Sequence, residues 1–282
     1  QFGIKGEIAL GKKGIATLNY LKYHPKPNLD FLLLHRYYSY TYWGLLSNAY
    51  SMNSRIQNEN GWAFICQYFP TSNYSLYLSV DFYSSPWWKY RISKPSKGFN
   101  GNVKVERKSK RMDSSFQYVY KYKERDIKQT QGAITLPINQ HKLRAVFTFY
   151  FPYISLKTVA DYIYFYQSGQ SKSQGYHFTQ SGNVTINAFH ISCQGTFFNT
   201  ADYDSRVCVY EKGILYHYAM PSFSGKGYRL SCVVRTEITN HLMFMTKWSD
   251  THFCDRKFIG SGLEKIEDRN KMDLQFLFRV KF

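Results

Sequence analysis

The stretch Asn270-Lys-Met-Asp-Leu-Gln-Phe-Leu-Phe-Arg-Val-Lys-Phe282 decides the fold. Met272, Leu274, Phe276, Phe278, Val280 and Phe282 share one parity. Lys271, Asp273, Gln275, Arg279 and Lys281 share the other, with Leu277 out of step. Side chains on a strand alternate between its two faces, so a period of two predicts a β-strand with one apolar and one polar face. The alternation runs to a terminal phenylalanine with no polar tail, whereas soluble edge strands are blunted by charge, bulges or covering elements. A strand whose apolar face must meet lipid and whose edge must be paired predicts a transmembrane β-barrel. Phe278, Val280 and Phe282 then read as a C-terminal assembly signal, with the barrel-assembly machinery as a partner.

Outward from this strand the same pattern recurs. Strands are expected at 2–11, 14–23, 29–38, 61–69, 74–84, 101–110, 114–125, 141–151, 156–167, 174–183, 187–198, 206–211, 214–219, 227–237, 241–253 and 270–282. All eight prolines fall between or at the ends of these runs, as residues that cannot donate to a ladder should. Most runs reach the roughly 9–11 residues that a tilted strand needs to cross a bilayer. The expected fold is therefore all-β, an antiparallel up-and-down transmembrane barrel with about sixteen strands, an even number. With Phe282 on the periplasmic side, the connections sort by length. Short turns at 24–28, 70–73, 111–113, 152–155 and 238–240 fall on one side, and long loops at 39–60, 85–100, 126–140 and 254–269 on the other. Such segregation is the rule for outer-membrane barrels.

Bulk composition hides this reading. The 282 residues are 44% apolar, with a mean hydropathy of −0.44. No run approaches the length of a transmembrane helix. The anomaly is aromatic content: 26 Tyr, 22 Phe and 5 Trp make up 19% of the chain, which suits strands and the headgroup region. Trp43, Trp87, Trp88 and Tyr90 are candidates for an aromatic girdle or for loop packing, with stacking on bases or sugars as the functional alternative. A net charge of +18 favours anionic partners, including lipopolysaccharide headgroups, nucleic acid and anionic solutes. On the polar parity the candidate basic lumen residues are Lys104, Lys108, Lys121, Lys123, Arg144, Lys157, Arg229, Arg235, Lys247 and Arg279. Two readings compete for them: an electropositive passage, or ordinary lumen polarity balanced by acids such as Asp81, Glu106 and Asp161.

Catalytic and metal signatures are weak. His190-x-x-Cys193 is a lone pair on alternating faces. Ser249, Asp250 and His252 are too close along one strand to form a triad in space. Gly260-Ser-Gly262 and Gly225-Lys-Gly227 lead toward strands rather than a helix N-terminus, so they read as turn glycines. Glu264 and Glu267 read as solvated loop charge. The five cysteines, Cys66, Cys193, Cys208, Cys232 and Cys254, form no complete disulfide framework and read as small strand residues. No cofactor is expected. The chain begins at Gln1 without an initiator Met or signal peptide, which predicts processing or further N-terminal sequence.

Several segments carry a resemblance. They are Asn53-Ser-Arg-Ile-Gln-Asn-Glu-Asn-Gly61, the run FYSSPWWKYRISKPSKG from Phe82 to Gly98, and Asp204-Ser-Arg-Val-Cys-Val-Tyr-Glu211. Ala219-Met-Pro-Ser-Phe-Ser-Gly-Lys-Gly227, Ile259-Gly-Ser-Gly-Leu-Glu-Lys-Ile-Glu267 and the terminal Phe-Arg-Val-Lys-Phe complete the set. Over residues 31–282 the chain resembles the C-terminal barrel of Bacteroidetes outer-membrane proteins that carry an N-terminal helix-hairpin-helix region. The resemblance implies a longer barrel of which these strands form the C-terminal part, and a suspected role in DNA passage. The helix-hairpin-helix module itself is absent from this sequence.

The reading that follows is one outer-membrane β-barrel domain over 1–282, in a Gram-negative bacterium, acting as a channel or translocation component without a chemical step. The alternative is a plugged barrel acting as a structural, assembly or binding component, docked to other outer-membrane proteins or nucleic acid. An outer-membrane enzyme would need a catalytic cluster at the rim, and a soluble carbohydrate-binding sandwich would stay dissolved without detergent.

Overall fold

The computed structural model describes residues 1–282 except 45, 46, 130, 131, 170, 171, 219, 240 and 282, and omits the side chains of 128, 129 and 132. Phe282, Asn240 of the predicted 238–240 turn and Ala219 of the predicted 214–219 strand therefore lie outside the described residues. Fourteen strands form one sheet in chain order. They are β1 (Phe2–Leu10), β2 (Ile15–Lys26), β3 (Leu29–Tyr38), β4 (Glu59–Thr71), β5 (Tyr74–Ser85), β6 (Ser96–Arg107), β7 (Met112–Gln129), β8 (Gly132–Tyr150), β9 (Ile154–Gln167), β10 (Ser173–Ile186), β11 (Phe189–Thr200), β14 (Lys226–Glu237), β15 (Leu242–Phe253) and β16 (Asn270–Val280). Two short strands, β12 (Val207–Cys208) and β13 (Ser222–Phe223), pair only with each other. A single turn of 3-10 helix, Gly262–Glu264, is the helical content among the described residues, and no helix is long and apolar enough to cross a membrane.

Four sequence expectations change, the first being that Pro25, Pro70 and Pro137, expected outside the strands, lie within β2, β4 and β8. The predicted strands 206–211 and 214–219 are not members of the large sheet: two residues of the first join the separate β12–β13 pair, and the described residues 214–218 are irregular. The predicted loop 126–140 is largely strand, because β7 and β8 continue to Gln129 and from Gly132. Gly132 and Pro137 concealed the pairing by reading as loop punctuation, although Ile134, Leu136 and Ile138 already alternate. Lys108 lies beyond Arg107 in the exposed β6–β7 turn rather than on a strand face. The segregation of connections by length survives these changes. The β2–β3, β4–β5 and β10–β11 turns are two residues long or slightly more, while β3–β4, β11–β14 and β15–β16 are joined by long segments on the opposite side.

The described residues group into two compact units. The first holds 1–107, 117–142 and 165–172, and the second holds 108–116, 143–164 and 173–282. Each is inside-out relative to a water-soluble protein. In the first, Ile4 (80%), Phe64 (39%) and Phe82 (59%) are exposed while Arg36, Glu59 and Asp81 are buried. In the second, Leu143, Phe197, Leu230 and Phe276 are exposed while Asp161, His177, Lys247 and Ser249 are buried. Strand pleating makes this possible, because it sends alternate residues to opposite faces. On β16 the predicted alternation is observed: Met272, Leu274, Phe276, Phe278 and Val280 are exposed, and Asp273, Gln275, Leu277 and Arg279 are partly buried. Below, the exposed apolar face is called outer and the polar face inner.

Candidate functional site

In the first unit the inner face is built around Arg36. It sits on β3 at the parity of Leu34 and Tyr38, opposite Gly61 of β4. A Cβ at position 61 would stand 2.7 Å from the guanidinium carbon, so only glycine leaves room for the arginine. Arg36 bonds Glu59 through Nε and donates from Nη2 to Asp81 Oδ1 at 2.9 Å. All three side chains are buried, and buried charges persist only when paired and hydrogen-bonded. The β3–β4 loop supplies the remaining partners. Tyr50 donates its hydroxyl to Asp81 at 2.7 Å, and Glu59 Oε2 accepts from the Ser51 hydroxyl at 2.7 Å and the Asn53 N–H at 2.8 Å. Burial, together with the Asp81 carboxylate that accepts its hydrogen bond, raises the Tyr50 phenol above its ordinary value. This loop is thus folded onto the inner face by ionic and hydrogen-bonded contacts.

In the second unit the chain leaves β11, runs over the inner face as a segment of 25 residues or so (201–225), and re-enters the sheet at β14. Its two ends are apolar anchors. Val207, Val209 and Phe223 pack with Ile163, Phe198 and Phe253 of β9, β11 and β15, and the Phe198 and Phe223 rings stack at 4.6 Å. Each such buried side chain contributes roughly 1.5–3 kcal/mol. Deeper in, Ile214 and Leu215 lie against Val233, Met243 and Met245. Between them Glu211 is clamped. Its carboxylate accepts from Arg229 Nε at 2.8 Å and lies 3.1 Å from Lys247 Nζ. Burial pushes the Glu211 carboxyl up, but Arg229 and Lys247 outweigh it and hold the group below its ordinary 4.5. Lys212 is lowered, by burial first and by Arg235 second.

Beside the segment lies a cavity of about 330 Å³ bordered by Arg144, Lys157, His177, Gln194, Tyr210 and Lys212. Arg144 makes a bidentate pair with Asp161, both bonds 2.7 Å, and His177 Nε2 stands 3.2 Å from the same carboxylate. Among the described residues no group of three His, Cys, Asp or Glu side chains is placed to hold a metal. Ser249 faces the inner side, whereas Asp250 and His252 have the opposite parity and His252 bonds Asn270 at 2.6 Å. The strand pleat itself keeps Ser249 apart from the other two.

Against known proteins, no family model and no curated sequence matches the chain. Solved structures do. The FrpB iron transporter of Neisseria meningitidis (F5-1 variant, apoprotein form) superposes with a TM-score of 0.57 at 10% identity, covering 90% of this chain and 45% of its own. The ferric enterobactin receptor of Pseudomonas aeruginosa (G324V mutant) gives 0.54 at 8% identity, covering 89% and 43%. The strand arrangement is that of outer-membrane β-barrels of Gram-negative bacteria. The chain spans a little under half the length of these two proteins.

The predicted basic set divides within that fold. Lys104 pairs with Glu106, Arg144 with Asp161, Arg229 and Lys247 with Glu211, and Arg235 with Glu237. The balancing role expected of Asp81, Glu106 and Asp161 is therefore found, with Arg36 as the partner of Asp81. Lys121, Lys123 and Lys157 share the inner parity but are solvent-exposed, and Arg279 is half-buried on β16. The sequence reading missed Arg36, Glu59, Tyr50, His177 and Glu211. Arg36 had a visible signal, an arginine at inner parity two residues after the apolar run Leu32-Leu33-Leu34. Glu211 had none, because its partners are 18 and 36 residues away.

Of the two packing readings of the four aromatic residues, the structure fits loop packing. Trp43, Trp87, Trp88 and Tyr90 lie in the β3–β4 and β5–β6 loops, beyond the strand ends. Rings at the outer strand ends are others. Phe2, Tyr23, Phe31 and Phe64 form a stacked ladder toward the short turns, and Phe82, Phe99 and Tyr120 contact one another toward the loops of the same unit.

Proposed function

We propose that the chain forms a transmembrane β-barrel of the outer membrane that serves as a gated passage for anionic solutes, shut at rest by its own inward-folded segment. The observation that carries this reading is the buried Glu211, held by Arg229 and Lys247 on the inner face. An acid delivered by a loop to two wall cations does two things at once. It holds the middle of the segment in place, and it offsets part of the charge that would otherwise line the passage. When the stretch between the apolar anchors swings away, Glu211 leaves with it, Lys247 loses its carboxylate partner, and Arg229 keeps only the longer 3.8 Å contact with Asp273. The opened passage is then electropositive, and a ring of such cations favours anions. The likeness to a transporter and a receptor of the same fold supports a passage but names no solute for this chain.

Planar-bilayer recording of the purified protein tests the proposal. The wild type is expected to open rarely, and Glu211→Gln to open at least tenfold more often, with anion over cation selectivity. Silence in both proteins, or a cation-selective Glu211→Gln pore, overturns it. Silence together with stable capture of other outer-membrane proteins favours a plugged binding component instead.

A further inference from the structure

The loops that carry the displaced tryptophans enclose a cleft of about 550 Å³ in the first unit, within the range of roughly 300–1,000 Å³ typical of ligand sites. One wall is aromatic. Tyr40 stacks on Trp87 at 4.8 Å and 17°, and Trp87 on Trp88 at 5.5 Å and 2°, leaving Trp88 63% exposed. The stack is pre-set by Asn58. This buried residue has φ +54°, a left-handed conformation that is uncommon without a local reason. The reason is that its amide grips the opposite loop: Oδ1 accepts from the Trp87 N–H at 2.8 Å, and Nδ2 donates to the Trp87 carbonyl at 2.8 Å. A strained residue holding a ligand-facing platform is the kind of site at which strain and function coincide.

The other wall is polar and cationic. Ser54 and Gln57 make no side-chain hydrogen bond among the described residues, and Arg55 rests on the Trp43 ring at 5.2 Å. Lys89 Nζ donates to Asn53 Oδ1 at 3.1 Å and Ser85 Oγ at 3.0 Å, with no carboxylate in ion-pair contact among the described residues. Among the described residues no acidic side chain borders the cleft.

We infer that this cleft binds an acidic oligosaccharide, with a sugar ring laid on Trp88, hydroxyls on Gln57 and Ser54, and a carboxylate or sulfate on Lys89 and Arg55. The open Trp88 face provides the flat apolar platform that the C–H face of a pyranose ring requires. The side-chain amide and hydroxyl, left unpaired, match sugar hydroxyls that act as both donor and acceptor. The cations give charge-assisted bonds to an anionic substituent. A single-stranded nucleic acid would want successive rings spaced along a charged track. Here Tyr40, Trp87 and Trp88 are stacked on one another and leave no slot for an inserted base. This inference is independent of whether the protein conducts.

The test is tryptophan fluorescence and calorimetry on the full chain in detergent, titrated with a panel of oligouronates and sulfated oligosaccharides. Methyl-esterified oligouronates and a single-stranded oligonucleotide serve as comparisons. The expected result is saturable binding of an acidic glycan, weakened at least tenfold by esterification. Trp88→Ala should weaken binding at least tenfold, Trp88→Tyr should restore most of it, and Lys89→Gln should erase the preference for the acid over its ester. Tyr153→Ala, in an exposed turn, should change nothing. Binding of no acidic glycan, equal binding of the ester, exclusive binding of the oligonucleotide, or undiminished binding by Trp88→Ala overturns the inference.

Discussion

At the residue scale, burial converts ordinary charges into structural commitments. Arg36 lies between two buried carboxylates, and its removal would leave both without a cation. Arg36→Met is expected to destabilise the protein by about 3–5 kcal/mol, the cost of breaking a buried ion pair, as read from urea unfolding in detergent micelles. Adding Glu59→Gln and Asp81→Asn to that variant should recover part of the loss, because the uncompensated charges go with them. Glu211 gives a pH signature. Its carboxyl is depressed in the folded state, so its contribution is fully present above the ordinary 4.5 and lost only as pH falls through the lower folded value. Bilayer openings should therefore stay rare from neutral pH down past 4.5 and increase only in stronger acid. Openings that rise between pH 7 and 5 would show that a histidine, not Glu211, governs the segment.

At the scale of the element, each strand is a two-sided device whose faces meet different solvents. In β16 Phe276 lies on the outer face, 63% exposed, at mid-strand opposite Thr246. Phe276→Arg should cost about 2–4 kcal/mol of folding free energy in lipid vesicles, and a charge at the strand end only about 0–1. Met272→Arg, nearer the end, is the matched comparison. Equal costs at the two positions would mean that β16 does not run through a bilayer. The strands were legible in the sequence because the pleat writes a period of two directly into residue order. The β7–β8 extension was not, since Gly132 and Pro137 read as loop punctuation and outweighed the short alternation of Ile134, Leu136 and Ile138. The inward segment was read as two further strands because Val207, Val209, Ile214 and Leu215 are apolar; in the folded chain they pack on side chains of β9, β11, β14 and β15 instead.

For the molecule as a whole, the inside-out polarity predicts its behaviour in bulk. Large apolar side chains on the outer strand faces and buried ionic pairs on the inner ones mean that water alone is the wrong solvent. The purified protein should remain monodisperse only with detergent or lipid, and should float with liposomes in a density gradient. A compact, monodisperse species in plain buffer would overturn the membrane reading. The charge of +18 is also partly masked within the fold. Arg36, Arg144, Arg229 and Lys247 spend their charge on buried acids, so the cations that remain to meet a ligand or a lipid surface are chiefly those of loops, turns and the uncovered inner face.

By itself the order of residues determined the strands, their two faces and the side on which the long loops lie. All of these follow from local rules: side chains alternate, and turns are short or long where they are written. It also showed that Asp81, Glu106 and Asp161 were available to balance the basic parity. Only the tertiary structure decided which cation each acid meets, that residues 201–225 turn back over the inner face, and that Asn58 clasps Trp87 across the loops. Those outcomes depend on groups brought together from 18 to 45 positions apart. Their energies come from desolvation and packing, which exist only after the sheet has formed a surface to be covered.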